Sequence, residues 1–394
     1  MASFGGASQD GVDDRVRVRF YSKNPKFQEP RFFEDYSVRV SVLQQPAAFA
    51  VRLSARDGSA DLLRDIPDNT KFNLYIGLLP QFTGYTDAQN AGGTAGSTSV
   101  TFKGRDVLAK LYGNDVPADE SFTNITYKRL VETAMERARL SGKVIVDNEK
   151  NKQIRTGVRV KAIKVPVVSN EVVRADGGAV VKHVVRAKLG ESWLEFARRH
   201  LAKQGLFIWS DTDGNIVLSS PNPNQSPLFY WVRERNTING RINVFDAQFV
   251  NDTTHRFSEC VIYCRAGGRK SGRGKLHGGH VDQEMVDLGI ERVKVYRDVN
   301  VTTTKEAEFY ARRKIAEINR ASWHLQYTFA GHSAPALYGG RAVIGPDLIA
   351  HIKDTEFGID EPMYIESVEY KSQPQQTTTV TLMRIKDLIF GDDD

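Results

Sequence analysis

The residues whose types could support chemistry are few, and their spacing fits no catalytic or metal-binding pattern. Asp211 and Asp213 could act as a carboxylate pair in acid–base catalysis, but the composition of 211–214 predicts a tight turn instead. His277 and His280 are three residues apart, and no cysteine or carboxylate cluster accompanies them to complete a metal site. The chain has no nucleophile elbow, Walker loop, dinucleotide fingerprint or zinc-protease motif. We therefore predict no catalytic residue, no metal, no cofactor and no enzymatic activity.

Basic residues are the remaining candidates for a binding site, and they concentrate in two segments. The stretch Val144–Ala187 is β-rich and basic, and the stretch 265–280 is rich in glycine. The second stretch supplies the candidate polyanion contacts, which are Arg265, Arg269, Lys270, Arg273 and Lys275. Charge alone permits such contacts, although a solvated β-arm and a loose loop explain the same compositions. The net charge of +6 over 394 residues is a modest excess, so a dedicated nucleic-acid binder is not favoured.

The two cysteines and four tryptophans fit structural roles. Cys260 and Cys264 are four apart in a predicted strand, which places them about 13 Å from each other. That distance is too long for a disulfide, so we predict reduced, buried thiols. The tryptophans could form a sugar-stacking surface, but Trp193 lies on an apolar helix face and Trp209 in an apolar strand. We predict that they are core residues.

The best-formed local unit, which would position these tryptophans, is Glu191–Ser220. Its first half has an apolar face at helical spacing, and Ser192-x-x-Glu195 is a capping box. Gly205 stands where a helix C-cap is expected. Two short apolar runs follow, separated by a turn in which Gly214 permits positive φ. The unit is predicted to be a capped helix leading into a hairpin.

Alternating patterns predict β structure at both ends of the chain. The predicted strands are Arg15–Phe20, Tyr36–Leu43, Phe49–Leu53, Phe72–Ile76, Ser97–Lys103, Arg241–Val250, Glu259–Arg265, Leu325–Phe329, Ala342–Ile344, Leu348–Lys353, Met363–Tyr370 and Thr377–Ile385. Helical spacing appears at 104–111, 127–140 and 303–321, the last with a capping box at Thr303 and Glu306. The segment Gln81–Ser97, rich in Gly, Thr and Ala, is predicted to be a mobile hairpin loop.

The sequence thus predicts an α+β, β-rich fold in which two barrel-like antiparallel β domains flank an α/β middle domain. The first β domain spans 1–114, and the middle domain spans 115–230 with the basic β insert at 144–187. The second β domain spans 231–394 and includes the Gly/Arg loop 265–280 and the helix 303–321. The polar, acidic lead at 1–14 is not a signal peptide, and no apolar run reaches the roughly 20 residues of a membrane span. Synthesis in a host cytoplasm is expected.

A weak internal echo connects the two β regions. Ser97–Phe102 reads STSVTF and Thr377–Leu382 reads TTTVTL, and each follows a Pro-Asp pair at nearly the same distance. Thr and Val are common in strands, so chance could also supply this likeness. If the echo is real, the chain contains two related β units. Three such chains would present six similar units, which is the geometry of an adaptor between threefold and sixfold objects.

The order of these motifs resembles the baseplate hub proteins of contractile-tailed phages, namely the Mu-type hub, the T-even hub and the late control D proteins. The resemblance rests on Gly104-Arg105-Asp106 before an apolar helix, on the unit Glu191–Ser220, and on Tyr364–Val368 followed by Thr377–Leu382. It covers most of the chain. Its departures are the insert at 144–187 and the loop at 265–280.

The resemblance implies a homotrimer whose two barrel-like domains per chain form a pseudo-sixfold ring around a central channel. It implies a structural hub in the virion that joins the hexameric tail tube to the trimeric central spike and contacts other baseplate proteins. Two alternatives remain: a cell-wall-degrading tail enzyme, and a polyanion-binding module that uses Lys150–Lys164 and Arg265–Lys275.

Overall fold

The computed structural model describes residues 14–22, 24–25, 28–30, 33–43, 46–54, 59–94, 97–117, 119–146, 174–175, 179–180, 184–202, 205–234, 244–264, 277–298, 301 and 303–388. The predicted N-terminal lead lies almost wholly outside these ranges. The α+β, β-rich class is confirmed, since strands make up about half of the described chain, mostly in antiparallel pairings, and helices pack beside the sheets.

The N-terminal region forms strands because buried and exposed side chains alternate along it, as predicted. The elements are β1 (Val16–Phe20), β2 (Phe33–Ser41), β3 (Ala48–Ser54), α1 (Ser59–Asp65), β4 (Lys71–Ile76), β5 (Leu79–Thr94) and β6 (Ser97–Asp106). Their order in the sheet is β1-β4-β5-β6-β3-β2, and every pairing is antiparallel.

Two predictions about this region were wrong. Residues 81–94 are not a loop, because β5 pairs with β6 from Gly84 opposite Asp106 to Thr94 opposite Ser97. A small residue lets the two strands lie close together here, since a Cβ on Gly84 would lie 2.6 Å from the carbonyl oxygen of Arg105. The predicted helix at 104–111 begins later, at Leu108, because the carboxylate of Asp106 accepts the Leu108 backbone N–H at 3.1 Å and ends the strand.

The middle region packs helices against short sheets around its own core. Its elements are α2 (Leu108–Tyr112), β7 (Ser121–Thr123), α3 (Tyr127–Arg137), β8 (Val144–Val146), β9 (Arg174–Ala175), β10 (Ala179–Val180), β11 (Val184–Arg186), α4 (Trp193–Leu201), β12 (Phe207–Ser210) and β13 (Ile216–Ser219). Of the predicted insert 144–187, residues 147–173, 176–178 and 181–183 lie outside the described residues. Its two ends belong to the middle region, because β8 pairs with β13 and β11 pairs with β7.

The predicted helix–hairpin unit is confirmed. The Ser192 hydroxyl accepts the Glu195 backbone N–H at 3.3 Å, and the Glu195 carboxylate accepts the Ser192 N–H at 3.1 Å. Gly205 and Gly214 adopt positive φ, at 66° and 85°. Phe196 is fully buried in addition to the residues of the predicted apolar face, because α4 is packed on several sides.

The C-terminal region contains the remaining strands. Its elements are β14 (Phe229–Arg233), β15 (Asp246–Asn251), β16 (Glu259–Cys264), β17 (His277–Val281), α5 (Gln283–Asp287), β18 (Val293–Asp298), α6 (Thr304–Ser322), β19 (Trp323–Ala330), β20 (Ser333–Pro335), β21 (Arg341–Val343), β22 (Leu348–Asp354), β23 (Ile359–Lys371), β24 (Thr377–Arg384) and a 3₁₀ turn (Ile385–Asp387). The helix predicted at 303–321 is confirmed with Thr303 as its N-cap. The sequence did not reveal β14, β17, α5, β18 and β20.

The described residues between 256 and 322 form a small α/β unit between β15 and β19. Its sheet has the order β17-β16-β18, and α6 packs on one face over Cys260 and Ile262. Cys260 is a buried free thiol, and burial raises its pKa to about 11. The side chain of Cys264 lies outside the described residues. All four tryptophans are buried, as predicted: Trp193, Trp209, Trp231 and Trp323.

The N- and C-terminal β regions join edge to edge. Strand β2 pairs with β23, which produces one sheet of 12 strands, and the described strands run in an open order from β1 to β15 without closing a barrel. One hydrophobic core extends along this sheet through both regions. The predicted domain boundaries at 114 and 230 stay a prediction.

Candidate functional site

The sequence-predicted polyanion residues cannot be placed, because Arg265, Arg269, Lys270, Arg273 and Lys275 all lie outside the described residues. The C-terminal end of the segment 265–280 differs from the predicted loose loop. Residues 277–280 are not a loose loop but the start of β17, which pairs with β16 from His277 opposite Tyr263 to Val281 opposite Glu259. Close packing of β17 against α6 accounts for Gly278, since a Cβ there would meet the backbone nitrogen of Glu308 at 2.6 Å.

The other chemical candidates have structural roles in the fold. The Asp211 carboxylate accepts the backbone N–H groups of Asp213 and Asn215 at 3.0 and 2.7 Å, which builds the hairpin turn. The His277 ring stacks on Tyr263, with 5.5 Å between ring centroids. Burial, together with the charge of Arg312, lowers the pKa of His280. In the described ranges no three His, Cys, Asp or Glu side chains are grouped as a metal site would need.

The large sheet is built from two halves with the same strand order. The first half runs β1-β4-β5-β6-β3-β2, and the second runs β14-β22-β23-β24-β19-β15. In each, three consecutive strands form an antiparallel meander, and the last strand of the meander pairs with an earlier strand. The halves differ at one edge, where β1 is antiparallel to β4 but β14 is parallel to β22.

The sequence echo falls on matching strands of these halves. Ser97–Phe102 lies in β6 and Thr377–Leu382 in β24. Phe102 pairs with Val51 in β3, and Leu382 pairs with Leu325 in β19; all four side chains are fully buried. The echo is therefore carried by equivalent core positions.

The two halves meet where β2 pairs with β23. Each of the two paired segments has a counterpart in the other half of the sheet, and these counterparts have no partner strand on that side among the described residues. Ser37–Ser41 of β2 pairs antiparallel with Ser367–Lys371 of β23. The counterpart of Ser367–Lys371 in the first half is Asn90–Thr94, because Thr94 and Lys371 pair with the first residues of β6 and β24. The counterpart of β2 is β15. Among the described residues, Asn90–Thr94 pairs only with β6 and β15 pairs only with β19.

One face of the eight adjoining strands, here called the open face, carries small and polar side chains. The strand registers align on it Ala88, Asn90 and Gly92 of β5; Ser97, Ser99, Thr101, Lys103 and Arg105 of β6; Ala48, Ala50, Arg52 and Ser54 of β3; Asp35, Ser37 and Arg39 of β2; Glu369 and Lys371 of β23; Thr377, Thr379 and Thr381 of β24; His324, Gln326, Thr328 and Ala330 of β19; and Asp246, Gln248 and Val250 of β15. The opposite face holds the aromatic and aliphatic core.

Ion pairs link the charged side chains of the open face. Arg52 lies 3.2 Å from Glu34, and Arg105 lies 2.6 Å from Asp87. Both carboxylates come from irregular positions of β2 and β5, where an extra residue interrupts the register. Lys371 lies 2.9 Å from Glu369. These pairs are largely exposed, so each contributes little to stability.

The small α/β unit is fixed to the sheet by buried charges. The Arg256 guanidinium, which is fully buried, donates to Asn319, Asp282 and Glu284 at 2.9, 3.0 and 3.1 Å. Glu284 also accepts from Arg384 at the end of β24. Burial opposes ionisation of Glu284, but hydrogen bonds from basic side chains outweigh it and lower its pKa to about 2.

The middle region is fixed to the sheet by its hairpin. The Ser210 hydroxyl donates to Asp106 at the end of β6 at 2.9 Å, and the Thr83 hydroxyl of β5 donates to the Thr212 carbonyl at 2.6 Å. Complete burial raises the pKa of Asp106 to about 6. Both attachments of the middle region thus come from the unit predicted at 191–220.

Comparison with solved structures places this fold among phage tail proteins. The 43 kDa tail protein of prophage MuSo2 from Shewanella oneidensis matches with a TM-score of 0.73 and 17% identity over 95% of this chain and 100% of that one. The tail protein from Neisseria meningitidis MC58 matches with a TM-score of 0.72 and 18% identity over 95% and 98%. An E. coli component of the type VI secretion system, described as similar to T4 tail proteins, matches with a TM-score of 0.52 and 10% identity over 96% and 78%.

No protein-family model and no curated protein matches the sequence. At the level of fold, the predicted resemblance to baseplate hub proteins is confirmed, because structures of phage tail proteins match nearly the whole chain. In the part of the chain that the structure describes, no helix is long and apolar enough to cross a membrane.

Proposed function

We propose that this chain is a structural baseplate hub of a phage contractile tail or of a related injection device. In this role three copies form a ring that joins the hexameric tail tube to the trimeric central spike. The ring contacts other baseplate proteins and is part of the virion. The observation that carries the proposal is the repeated strand order of the two sheet halves. Three chains with two similar halves each present six similar units, which suits a junction between sixfold and threefold partners.

The unpaired edges provide a way to close the ring. Inside one chain, Ser37–Ser41 of β2 pairs with Ser367–Lys371 of β23. Between chains, the segments that match by register are Asn90–Thr94 of β5 and Val250–Thr254. Of the latter, Val250 and Asn251 belong to β15, and 252–254 follow the strand in a turn whose hydrogen bonds the contact would have to replace. Strand addition at such edges uses main-chain hydrogen bonds and gives a defined register. A closed cycle of heterologous contacts leaves no free edge.

Further support comes from the relatives in the comparison. Two are named as tail proteins, and one is named as a component of the type VI secretion system. A mechanical role also agrees with the way both smaller regions are fixed to the sheet by buried polar contacts. Under load, such contacts keep the middle region and the α/β unit in fixed positions. No catalytic step is needed for this function.

Native mass spectrometry of the purified chain tests the assembly, and a cross-link tests the register. The internal pair Arg39 and Glu369 corresponds to Asp252 of one copy and Gly92 of the next. A Cβ on Gly92 meets no other atom within 4 Å, so Gly92→Cys is sterically free. With Cys260 and Cys264 replaced by Ala, we expect the Gly92→Cys, Asp252→Cys variant to form covalent trimers on oxidation.

The matched control pairs Gly92→Cys with Asp246→Cys, six residues away along β15 and thus about 20 Å off register. A monomer at all concentrations, or equal cross-linking in both variants, would contradict the ring. The rival assignment to a cell-wall-degrading tail enzyme predicts clearing of peptidoglycan in a zymogram. The rival assignment to a polyanion-binding module rests on residues outside the described ranges, and a salt-dependent shift with DNA that is lost on deleting 265–276 would favour it.

A further inference from the structure

We propose that the outer edge of β18, in the small α/β unit, is a docking site for an extended acidic segment of another protein. The segment adds a fourth strand beside β18, with apolar side chains on one face of the sheet and carboxylates on the other. The inference does not depend on the proposed ring, because the α/β unit has its own sheet and its own core. It gives a partner-binding role to a unit that the ring does not use.

The outer edge of β18 carries backbone groups that no described residue binds. The sheet has the order β17-β16-β18, so β18 has a neighbouring strand on one side only. The backbone N–H of Glu259 in β16 donates to the carbonyl oxygen of Arg292 at 3.2 Å, and the register aligns Glu259 with Val293. In a parallel pair every second residue bonds to the neighbour, and here these are the even-numbered residues of β18. The N–H and C=O groups of Val293, Val295 and Arg297 therefore point away from β16.

Both faces of β18 are exposed, although the strand contains two valines. Helix α6 lies over β16 and β17 rather than over β18. On the opposite side of the sheet, Val293 is 61% exposed, Val295 56% and Val281 48%. Val261 of β16 lies between these side chains, since the register aligns it with Val295. A single exposed valine needs no explanation, but a row of them along an unpaired edge strand indicates a protein contact.

The charged side chains along this edge favour an acidic partner. Lys294 and Arg297 are exposed, and neither forms an ion pair among the described side chains. Lys314 of α6 lies on the same side of the sheet as Lys294, with its amino group 5.9 Å from the centre of the Tyr296 ring. The Glu259 carboxylate lies over β17 and thus away from the edge. Carboxylates on an added strand would form cross-strand ion pairs with these cations.

The segment that fits best alternates apolar and acidic residues. In a strand added to β18, every second side chain lies beside Val293 and Val295, and the side chains between them lie beside Lys294 and Tyr296. The six residues Val293–Asp298 define a contact about 20 Å long. Main-chain hydrogen bonds supply affinity in this mode of recognition, and side chains supply specificity. A second copy of β18 is disfavoured as the added strand, because it brings the cations of both edges together.

Two labelled peptides test the proposal on the full chain. The probe is a fluorescein-labelled peptide of about ten residues in which Val and Glu alternate, and its counterpart has Lys in place of Glu. Fluorescence anisotropy measures the affinity of each peptide for the native chain. We expect the Glu peptide to bind at least about tenfold more tightly than the Lys peptide. Equal affinities, or no binding of the Glu peptide, would overturn the proposal.

Substitutions in β18 locate the contact. Val295→Pro removes an outward N–H but leaves the hydrogen bonds to β16, whereas Val295→Ala keeps the N–H. We expect Val295→Pro to lose binding of the Glu peptide and Val295→Ala to retain it. The charge reversal Lys294→Glu, Arg297→Glu should invert the preference between the two peptides. The control reversal Lys143→Glu, Lys188→Glu, at exposed positions of the middle region, should leave the preference unchanged.

The remaining outcomes are also decisive. If Val295→Pro does not fold, the charge reversal decides alone, and a preference that it does not invert contradicts the site. Native mass spectra without peptide test for self-association at this edge. A doubling of the mass that the Glu peptide reverses would assign the edge to a second copy and overturn the proposed partner. The trimer is read from the same spectra, so failure of the ring and failure of this site are distinguishable.

Discussion

Glu284 accepts hydrogen bonds from Arg384, which lies 100 residues later in the chain, at 3.2 and 3.0 Å. Glu284 belongs to α5 in the small α/β unit, and Arg384 is the last residue of β24 in the large sheet. Lys386 donates to the same carboxylate at 3.0 Å, and Arg256 donates at 3.1 Å. One carboxylate therefore connects the α/β unit with the strand that ends the sheet.

Replacing Arg256 with Met should weaken this attachment strongly. The guanidinium is fully buried, and its loss leaves the carboxylate of Asp282 without its cation in a site of low exposure. We expect a loss of about 3–5 kcal/mol in the free energy of unfolding, measured by urea denaturation. The control is Arg129→Met, whose exposed ion pair with Glu136 should contribute far less to stability. Similar losses in both variants would contradict the role of the buried network.

Lowering the pH should change the contributions of Asp106 and Glu284 to the free energy of unfolding in opposite directions. Burial raises the pKa of Asp106 from 3.8 to about 6, so the folded chain holds more protons there than the unfolded chain does in that window. Its contribution to stability therefore falls as pH rises from about 4 to about 6, by about 3 kcal/mol in total. The pKa of Glu284 is lowered to about 2, so its contribution is present above about 4.5 and is lost as pH falls below that value.

The variant Asp106→Asn separates these effects. It keeps one oxygen to accept the Leu108 N–H, and its amide NH2 takes the second oxygen's place, where it donates to the Ser210 hydroxyl. The substitution removes the titration. We expect urea midpoints of this variant to depend less on pH between about 4 and 6 than those of the native chain. Asp213→Asn, in an exposed turn, is the control for the loss of one carboxylate. An unaltered slope in Asp106→Asn would show that Asp106 is not the group responsible.

Local features of this fold are predictable from sequence, because the interacting residues are close in the chain. The capping box joins Ser192 with Glu195, and the turn at 211–214 is built by Asp211. The composition of β5 predicts a loop, because Gly and Ala are common in loops. Composition alone does not show that Gly84 is needed where two strands approach closely.

The site is less visible in the sequence, because it arises from long-range pairing. The sequence echo marks β6 and β24 as equivalents, and the structure shows that the likeness extends to their neighbours. The junction of Ser37 with Lys371 spans the chain, and no local pattern specifies it. The buried network around Glu284 has the same origin. Alternation in β6 does reveal the polar face, since every second residue from Ser97 to Arg105 is Ser, Thr, Lys or Arg.

Truncating a buried tryptophan should be costly at two sites. Trp193 packs against Phe122 and Phe196 in the middle core, and Trp209 packs against Val42 and Val217 where that region meets the sheet. We expect Trp193→Ala and Trp209→Ala each to lose about 3–5 kcal/mol in the free energy of unfolding. Among the described residues the indole N–H of Trp209 has no hydrogen-bond partner, so Trp209→Phe should lose much less. Unchanged stability in both alanine variants would contradict the core assignment.

The docking of the hairpin on β5 can be measured through Gly214. Its φ of 85° is strained for any residue with a Cβ, and a Cβ there would lie 2.9 Å from Cγ2 of Thr83. Gly190 has a similar φ of 73°, but a Cβ there meets no atom within 4 Å. We expect Gly190→Ala to cost about 1 kcal/mol from backbone strain alone, and Gly214→Ala to cost more.

The excess cost of Gly214→Ala should depend on the Thr83 methyl group. Thr83→Ser removes Cγ2 but keeps the hydroxyl that donates to the Thr212 carbonyl at 2.6 Å. In a double-mutant cycle, Gly214→Ala should therefore be less destabilising in the Thr83→Ser background than in the native one. Gly190→Ala, which touches neither residue, should cost the same in both backgrounds. An additive cycle at Gly214 would mean that the hairpin does not rest on β5 as described. A favourable coupling would instead show that contact with the sheet, and not turn geometry alone, requires glycine at this position.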